Sequence, residues 1–225
     1  MISALSTRIT EAENYYEIRD SISHDLVNNL DNQNIIPLLI SNSGIEPEKY
    51  FNSIQFDLLI LSGGDDLILK AKTTKHDLEK QKRDKTEKKL IEFCIKKNIP
   101  IIGICRGMQL INSFFGGSQT LDKKNIHVNQ NHKISMDFQG NKIFLNDDFF
   151  VNSFHAFVIE QENCGQELIP IMFAKDKTIE AFVHKKYQIL GVMFHPERKF
   201  PDDLINFYFN NNFYSKVLDF FKERK

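Results

Sequence analysis

Cys105 lies in Gly103-Ile104-Cys105-Arg106-Gly107, directly after the apolar run Ile99-Pro100-Ile101-Ile102. A G-x-C-x-G pattern at the end of a buried strand sets a thiol on a sharp strand-to-helix turn, beside the unpaired N–H groups of a helix N-terminus. The flanking glycines allow the bend. A thiol so placed is a candidate nucleophile, although a core cysteine between glycines also fits the pentapeptide alone. A nucleophile further needs a base, a group to orient that base, and donors for an oxyanion.

The base and its orienter are supplied by Gly191-Val192-Met193-Phe194-His195-Pro196-Glu197. Residues i and i+2 of an extended backbone point the same way, so Glu197 can fix one nitrogen of His195 while the other faces a nucleophile. Pro196 restricts the backbone between them. A third block, Ser62-Gly63-Gly64-Asp65-Asp66, follows another apolar run. Alone it reads first as a simple turn after a strand; beside the other two blocks the functional reading takes precedence.

Elements must hold these blocks in place. Apolar runs predict strands at Ile2–Thr7, Ile35–Ile40, Phe56–Leu61 and Ile99–Ile104, alternating with helices at Tyr15–Leu30, Asp84–Lys97 and Met108–Phe115. Apolar residues at Ile18, Ile22, Leu26 and Leu30 carry the first helix. Leu90, Ile91, Cys94 and Ile95 carry the second, which makes Cys94 a core residue. The second half predicts short strands at Lys142–Leu145, Ile169–Ala174, Thr178–Val183 and Gln188–Phe194. A last helix over Asp202–Lys222 is expected to break at Asn210-Asn211-Asn212. Strands alternating with helices indicate an α/β protein with a mostly parallel central sheet.

The 225 residues suit one domain, 1–225. A net charge of -1 gives no global field to attract nucleic acid or an acidic membrane. Neither partner is expected. The lysines from Lys70 to Lys89 are interleaved with acids and read as a solvated face. Three cysteines form no disulfide framework and no Cys-x-x-Cys pair, so a reducing, cytoplasmic setting is expected, with no metal and no cofactor. No leader or membrane-length apolar run is visible. His127 and His132 lie in a polar stretch and read as surface histidines.

As a set, the three blocks resemble the class I glutamine amidotransferase superfamily. Within it the chain is similar to the γ-glutamyl hydrolase (peptidase C26-like) branch. Cys105-Arg106-Gly107-Met108-Gln109-Leu110-Ile111-Asn112, Arg83-Asp84-x-x-Glu87, Val151-Asn152-Ser153-Phe154-His155 and Ile179-Glu180-Ala181 carry that narrower likeness. The resemblance implies a flavodoxin-like fold with a small antiparallel extension. It also implies Cys105 as nucleophile, His195 as base and then acid, and Glu197 as orienter, with the oxyanion held by the N–H groups of Gly64 and Arg106. Gln109, Ser153, Phe154 and His155 match the region that grips the glutamyl head group, with His155 also open to a structural role.

Two segments depart from the branch, Lys70–His76 after Asp66 and Arg198-Lys199 after Glu197. Lys72, Lys75 and Arg198, with Lys70 and Lys199, could meet a phosphorylated leaving group, although loop lysines are usually only solvated. In overall character the chain is similar to hydrolases of γ-glutamyl nucleotide amidates in capsule phosphoramidate biosynthesis. The expected substrate is a small γ-glutamyl amide. The chain ends soon after Glu197, so no fused synthetase domain and no obligate synthase are expected; a homodimer is allowed. The competing classes are hydrolysis of γ-glutamyl-γ-aminobutyrate, a glutaminase subunit feeding ammonia to a separate synthase, and a non-catalytic binding module. Intact Cys105, His195 and Glu197 argue against the last.

Overall fold

Uninterrupted apolar strands form the centre of the sheet, because helices cover both of its faces. The computed structural model describes residues 1–42, 46–51, 53–64, 67, 75–123, 125–137, 140, 143–144, 150–200 and 203–224. In chain order the first half runs β1 (Ile2–Ser6), β2 (Arg8–Glu11), β3 (Ile18–Ser21), α1 (His24–Asn32), β4 (Ile36–Ile40), α2 (Pro47–Phe51), β5 (Leu58–Leu61), α3 (Lys75–Lys97), β6 (Ile101–Ile104) and α4 (Arg106–Phe114). The second half runs β7 (Thr120–Leu121), β8 (Gln130–Met136), β9 (Phe150–Ser153), β10 (Phe157–Val158), β11 (Leu168–Ala174), β12 (Ile179–His184), β13 (Ile189–Val192) and α5 (Asp203–Glu223).

Among the described residues one nine-stranded sheet has the order β4-β1-β5-β6-β13-β12-β11-β8-β9. The first five strands are parallel and the remaining pairings antiparallel. Side chains alternate between two cores. Leu58 and Ile60 pack with Leu26, Leu30, Phe209 and Phe213 of α1 and α5, while Leu59 and Leu61 pack with Leu90, Cys94, Met108 and Ile111 of α3 and α4. Cys94 is fully buried, as its place in the α3 stripe requires, and burial raises its thiol pKa.

Three expected elements differ. The helix over Tyr15–Leu30 is instead the β2–β3 hairpin followed by a shorter α1. The Asp20 carboxylate accepts from Ser41 Oγ at 2.6 Å and from Asn42 Nδ2 at 2.6 Å, so pairing beyond β4 overrides the helical spacing. The strand over Lys142–Leu145 lies partly outside the described residues, and its described part is helical, with Phe144 N–H donating to Gly140 O at 2.9 Å. The C-terminal helix does not break at Asn210–Asn212. There the Gln33 side chain enters the ladder: its Nε2 donates to Phe209 O at 3.1 Å and its Oε1 accepts from Tyr214 N–H at 3.0 Å. Among the described residues no helix is long and apolar enough to cross a membrane.

Candidate active site

Three adjacent parallel strands converge at their carboxyl ends. β5 runs into Ser62-Gly63-Gly64, β6 into Cys105, and β13, two residues short of it, into His195. The crevice beyond the carboxyl edge is where open α/β sheets place their sites. No linker separates β6 from α4, so Cys105 takes the bend itself, at φ 51° and ψ −105°. Its N–H donates to Val192 O at 2.8 Å, and its carbonyl accepts the first bond of α4 from Gln109 N–H at 3.1 Å. A side chain held at such a positive φ stores backbone strain.

His195 is buried, with Nδ1 2.7 Å from Glu197 Oε1. Burial works against the imidazolium, but Glu197 and Cys105, also a hydrogen-bond partner of the ring, outweigh it and push the His195 pKa up to about 9. Glu197 is itself desolvated, yet His195 holds its pKa below the ordinary carboxylate value. The backbone of His195 is clamped by Asn152, whose Oδ1 accepts from its N–H at 2.9 Å and whose Nδ2 donates to its carbonyl at 2.9 Å. Gly63 closes on the ring: a Cβ there would lie 2.7 Å from His195 Cε1 and 3.6 Å from Cys105 Cβ. The structure thus brings Cys105, His195 and Glu197 together.

Gly64 has φ +144°, a conformation side chains avoid, and it lies between Arg83 and Arg8. A buried ion network holds this loop. Arg83 Nη2 donates to Ser62 O at 2.8 Å and to Gly63 O at 3.2 Å, and its Nε pairs with Glu87 Oε1 at 2.9 Å. Glu87 also pairs with Arg106, which in turn pairs with Asp84. Ser6 Oγ accepts from Ser62 N–H at 2.9 Å and bonds Glu87. Burial, with the neighbouring Arg106 charge, lowers the Arg83 pKa to about 10. The Arg106 side chain is therefore tied to α3, while its backbone N–H starts α4 next to the thiol. Arg8 Nε and Arg83 Nη1, on either side of Gly64, are buried with no hydrogen-bond partner among the described residues.

The other expected contacts are distributed unevenly. Gln109 is buried; its Nε2 reaches Phe157 O at 3.5 Å, and its Oε1 has no partner among the described residues. Ser153 Oγ is committed to His127 O at 2.6 Å. Phe154 is 42% exposed, meets the His195 ring edge-on with centroids 6.0 Å apart, and carries the Arg198 guanidinium 4.5 Å from its centroid. His155 turns its ring nitrogens to Phe157 O, at 2.9 Å, and Glu180, at 3.7 Å. Burial, the largest influence on it, lowers its pKa to about 4. Lys70 and Lys72 lie outside the described residues. Lys75 begins α3, with only its backbone described. His127, expected at the surface, is 1% exposed, because it packs against His132 and His155. Ser6, Arg8 and the clamp by Asn152 were not singled out by sequence; only Asn152 lay inside a motif.

A model of the Peptidase C26 family matches residues 2–197. The chain is 35% identical over 205 residues to the gamma-glutamyl-CDP-amidate hydrolase of Campylobacter jejuni, spanning 88% of this chain and 91% of that protein. Among solved structures it resembles a GMP synthase subunit from Thermoplasma acidophilum, with TM-score 0.69, 20% identity and coverage of 100% and 98%. It also resembles a glutamine amidotransferase from Thermotoga maritima, with TM-score 0.61, 21% identity and coverage of 87% and 76%. At these identities the likeness is one of fold, the class I glutamine amidotransferase fold. The matched residues include the elbow, the Ser62–Gly64 turn and the His195–Glu197 pair, and the chain belongs to the Peptidase C26 family.

Proposed function

We propose that the protein is a cysteine-dependent hydrolase of γ-glutamyl amides. The observation that carries this reading is the His195 ring, bonded on one side to Glu197 and engaged on the other by Cys105 at the elbow. His195 takes the Cys105 proton and the sulfur attacks the γ-carbonyl carbon. The resulting oxyanion is met by the N–H groups of Gly64 and Arg106. Losing one such donor typically costs about 3 kcal/mol of barrier. The intermediate collapses, the C–N bond breaks, and His195 returns the proton to the departing nitrogen. Water, deprotonated by His195, then cleaves the glutamyl thioester and frees glutamate and Cys105.

For the leaving group, the reading favours a nucleotide amidate, γ-glutamyl-CDP-amidate, releasing cytidine diphosphoramidate in capsule modification. The identity to the Campylobacter jejuni protein supports it. So do the unpartnered guanidinium nitrogens of Arg8 and Arg83 and the exposed edge formed by Arg198 and Phe154, since anionic phosphates favour arginine. This reading needs no separate synthase. Three free cysteines fit a reducing cytoplasm.

The test is glutamate release from glutamine, γ-glutamyl-γ-aminobutyrate and γ-glutamyl-CDP-amidate, with Cys105→Ala alongside. Preference for the nucleotide amidate and a dead but folded Cys105→Ala are expected. Turnover retained in Cys105→Ala overturns the mechanism. Glutamine turnover that appears only with an added synthase overturns the stand-alone hydrolase.

A further inference from the structure

Three histidines and a glutamate converge in the interior beside the site. Glu180 of β12 is fully buried, His127 and His155 are nearly so, and His132 of β8 is half-buried. Around Glu180 Oε1 stand His132 Nε2 at 3.2 Å, His127 Nδ1 at 3.6 Å and His155 Nε2 at 3.7 Å. Ligand atoms of His127, His132 and Glu180 all lie within 4.8 Å of one another. Yet these three ring nitrogens and both Glu180 oxygens are buried without a well-aligned hydrogen-bond partner among the described residues, although, against the effect of burial, Glu180, 3.2 Å from His132 Nε2, raises the His132 pKa. They approach one another but do not align. That is costly for a buried carboxylate, and it is the arrangement expected when lone pairs aim at a common centre.

The separations from Oε1 are near those of a tetrahedral site, while the atoms of His127, His132 and Glu180 lie up to 4.8 Å apart and would close in on the ion, with His155 joining from 3.7 Å beyond Oε1. With metal–ligand bonds of about 2.0–2.1 Å, a tetrahedron has edges of about 3.3 Å, close to the separations from Oε1. The outer partners fit as well. His127 Nε2 lies 3.1 Å from Asp176 Oδ2, and His155 Nδ1 lies 2.9 Å from Phe157 O. Each leaves the opposite nitrogen free to ligate, the usual support for a metal-bound imidazole. A cavity of about 710 Å³ borders Asp176, the partner of His127, and is lined by acids (Asp122, Glu160, Glu162) and lysines (Lys123, Lys177) alike.

We propose that His127, His132, His155 and Glu180 form a structural metal site that takes a divalent transition metal, zinc above all. Imidazole with one carboxylate suits zinc, and four protein ligands leave no open position for chemistry. The ion would join four separate segments. One of them carries Phe154 against His195, and the same corner is already tied by Ser153 Oγ and His155 N–H to His127 O. Its effect on catalysis is therefore to position the wall of the site.

The test is elemental analysis of the tag-free, full-length protein purified with zinc present, followed by chelation and re-addition of zinc or Co2+. One zinc per chain is expected, along with the intense visible absorption of tetrahedral Co2+. Zinc at 100 times its Kd should raise Tm by about 5 °C or more. Glu180→Gln and His132→Asn should lose the metal, while Cys105→Ser, which removes the elbow thiol as a rival ligand, should keep it. A folded protein that binds no stoichiometric metal, or one that loses its metal only in Cys105→Ser, overturns the proposal. In the first case the cluster is a buried carboxylate balanced by a protonated histidine. Hydrolase activity that persists in the metal-free protein supports a structural ion over a catalytic one and leaves the hydrolase reading standing.

Discussion

Asn152 pairs with the peptide backbone of His195 on both sides, accepting from its N–H and donating to its carbonyl, each at 2.9 Å. It extends the ladder past the end of β13 with a side-chain amide in place of a strand. Asn152→Ala leaves the buried His195 N–H unpaired, at about 1–3 kcal/mol, while the His195 carbonyl keeps the bond it accepts from Arg198 N–H at 3.1 Å. The expected result is a kcat lower by roughly tenfold or more with little change in KM, and a lower Tm. Steady-state kinetics on γ-glutamyl-p-nitroanilide, with thermal unfolding, check both.

Removing the thiol in two ways isolates the strain of the elbow. Cys105→Gly and Cys105→Ala both lack sulfur, but only glycine is at ease at φ 51°. Cys105→Gly should be more stable than Cys105→Ala by about 1 kcal/mol or more in urea unfolding. Equal stability would mean that the bend costs nothing.

The His195–Glu197 pair should give stability a defined pH window. The folded pKa of His195, about 9, exceeds its ordinary 6.5, so its contribution is complete below about 6.5 and is lost as pH rises through about 9. Glu197 is shifted the other way, so its share is present above about 4.5 and lost as pH falls through its lowered pKa. Glu197→Gln removes the pair. The stability gap between wild type and this variant should be widest near pH 5–6.5, up to about 3 kcal/mol, and should shrink toward pH 9. A gap that is flat with pH would refute the pairing.

Glu87 is fully buried between Arg83 and Arg106. Glu87→Ala leaves two buried cations without their shared partner and should cost about 3–5 kcal/mol. Because Arg83 holds Ser62 and Gly63, kcat should also fall at temperatures where the variant remains folded. Chemical denaturation and kinetics on the same samples separate the two effects.

Cationic side chains should discriminate between substrates. Arg198→Glu, Arg8→Gln and the double reversal of Lys72 and Lys75 should raise KM for γ-glutamyl-CDP-amidate by roughly tenfold, as for loss of a charge-assisted contact. KM for γ-glutamyl-p-nitroanilide should not change. An equal rise for both substrates would remove the phosphate contact.

The meeting of the three motifs was legible because each is local and ends a strand: Cys105 follows β6, Ser62–Gly64 follow β5, and His195 lies just past β13. The parallel core was legible for the same reason, as runs such as Leu58–Leu61 that are apolar throughout. Features set by distant partners were not. Ile18, Ile22, Leu26 and Leu30 fit a helix perfectly well, until Asp20 binds Ser41 and Asn42. Gln33 carries no sign that it will enter α5. His127 and His132 have an H-x4-H spacing that metal ligands can use, but His155 and Glu180 lie on other segments, and a polar neighbourhood in sequence made the first two look superficial.

The sheet order has a temporal consequence. Cys105 N–H bonds to Val192, and the strand beside β6 is supplied about 90 residues later. At ribosomal rates that interval is roughly 5–20 s. During it the nascent chain already holds its thiol but lacks both the neighbouring strand and the imidazole. On the proposed mechanism the newborn chain is therefore unable to attack a γ-glutamyl amide, and one margin of its half-built sheet must be shielded until synthesis reaches the last strand.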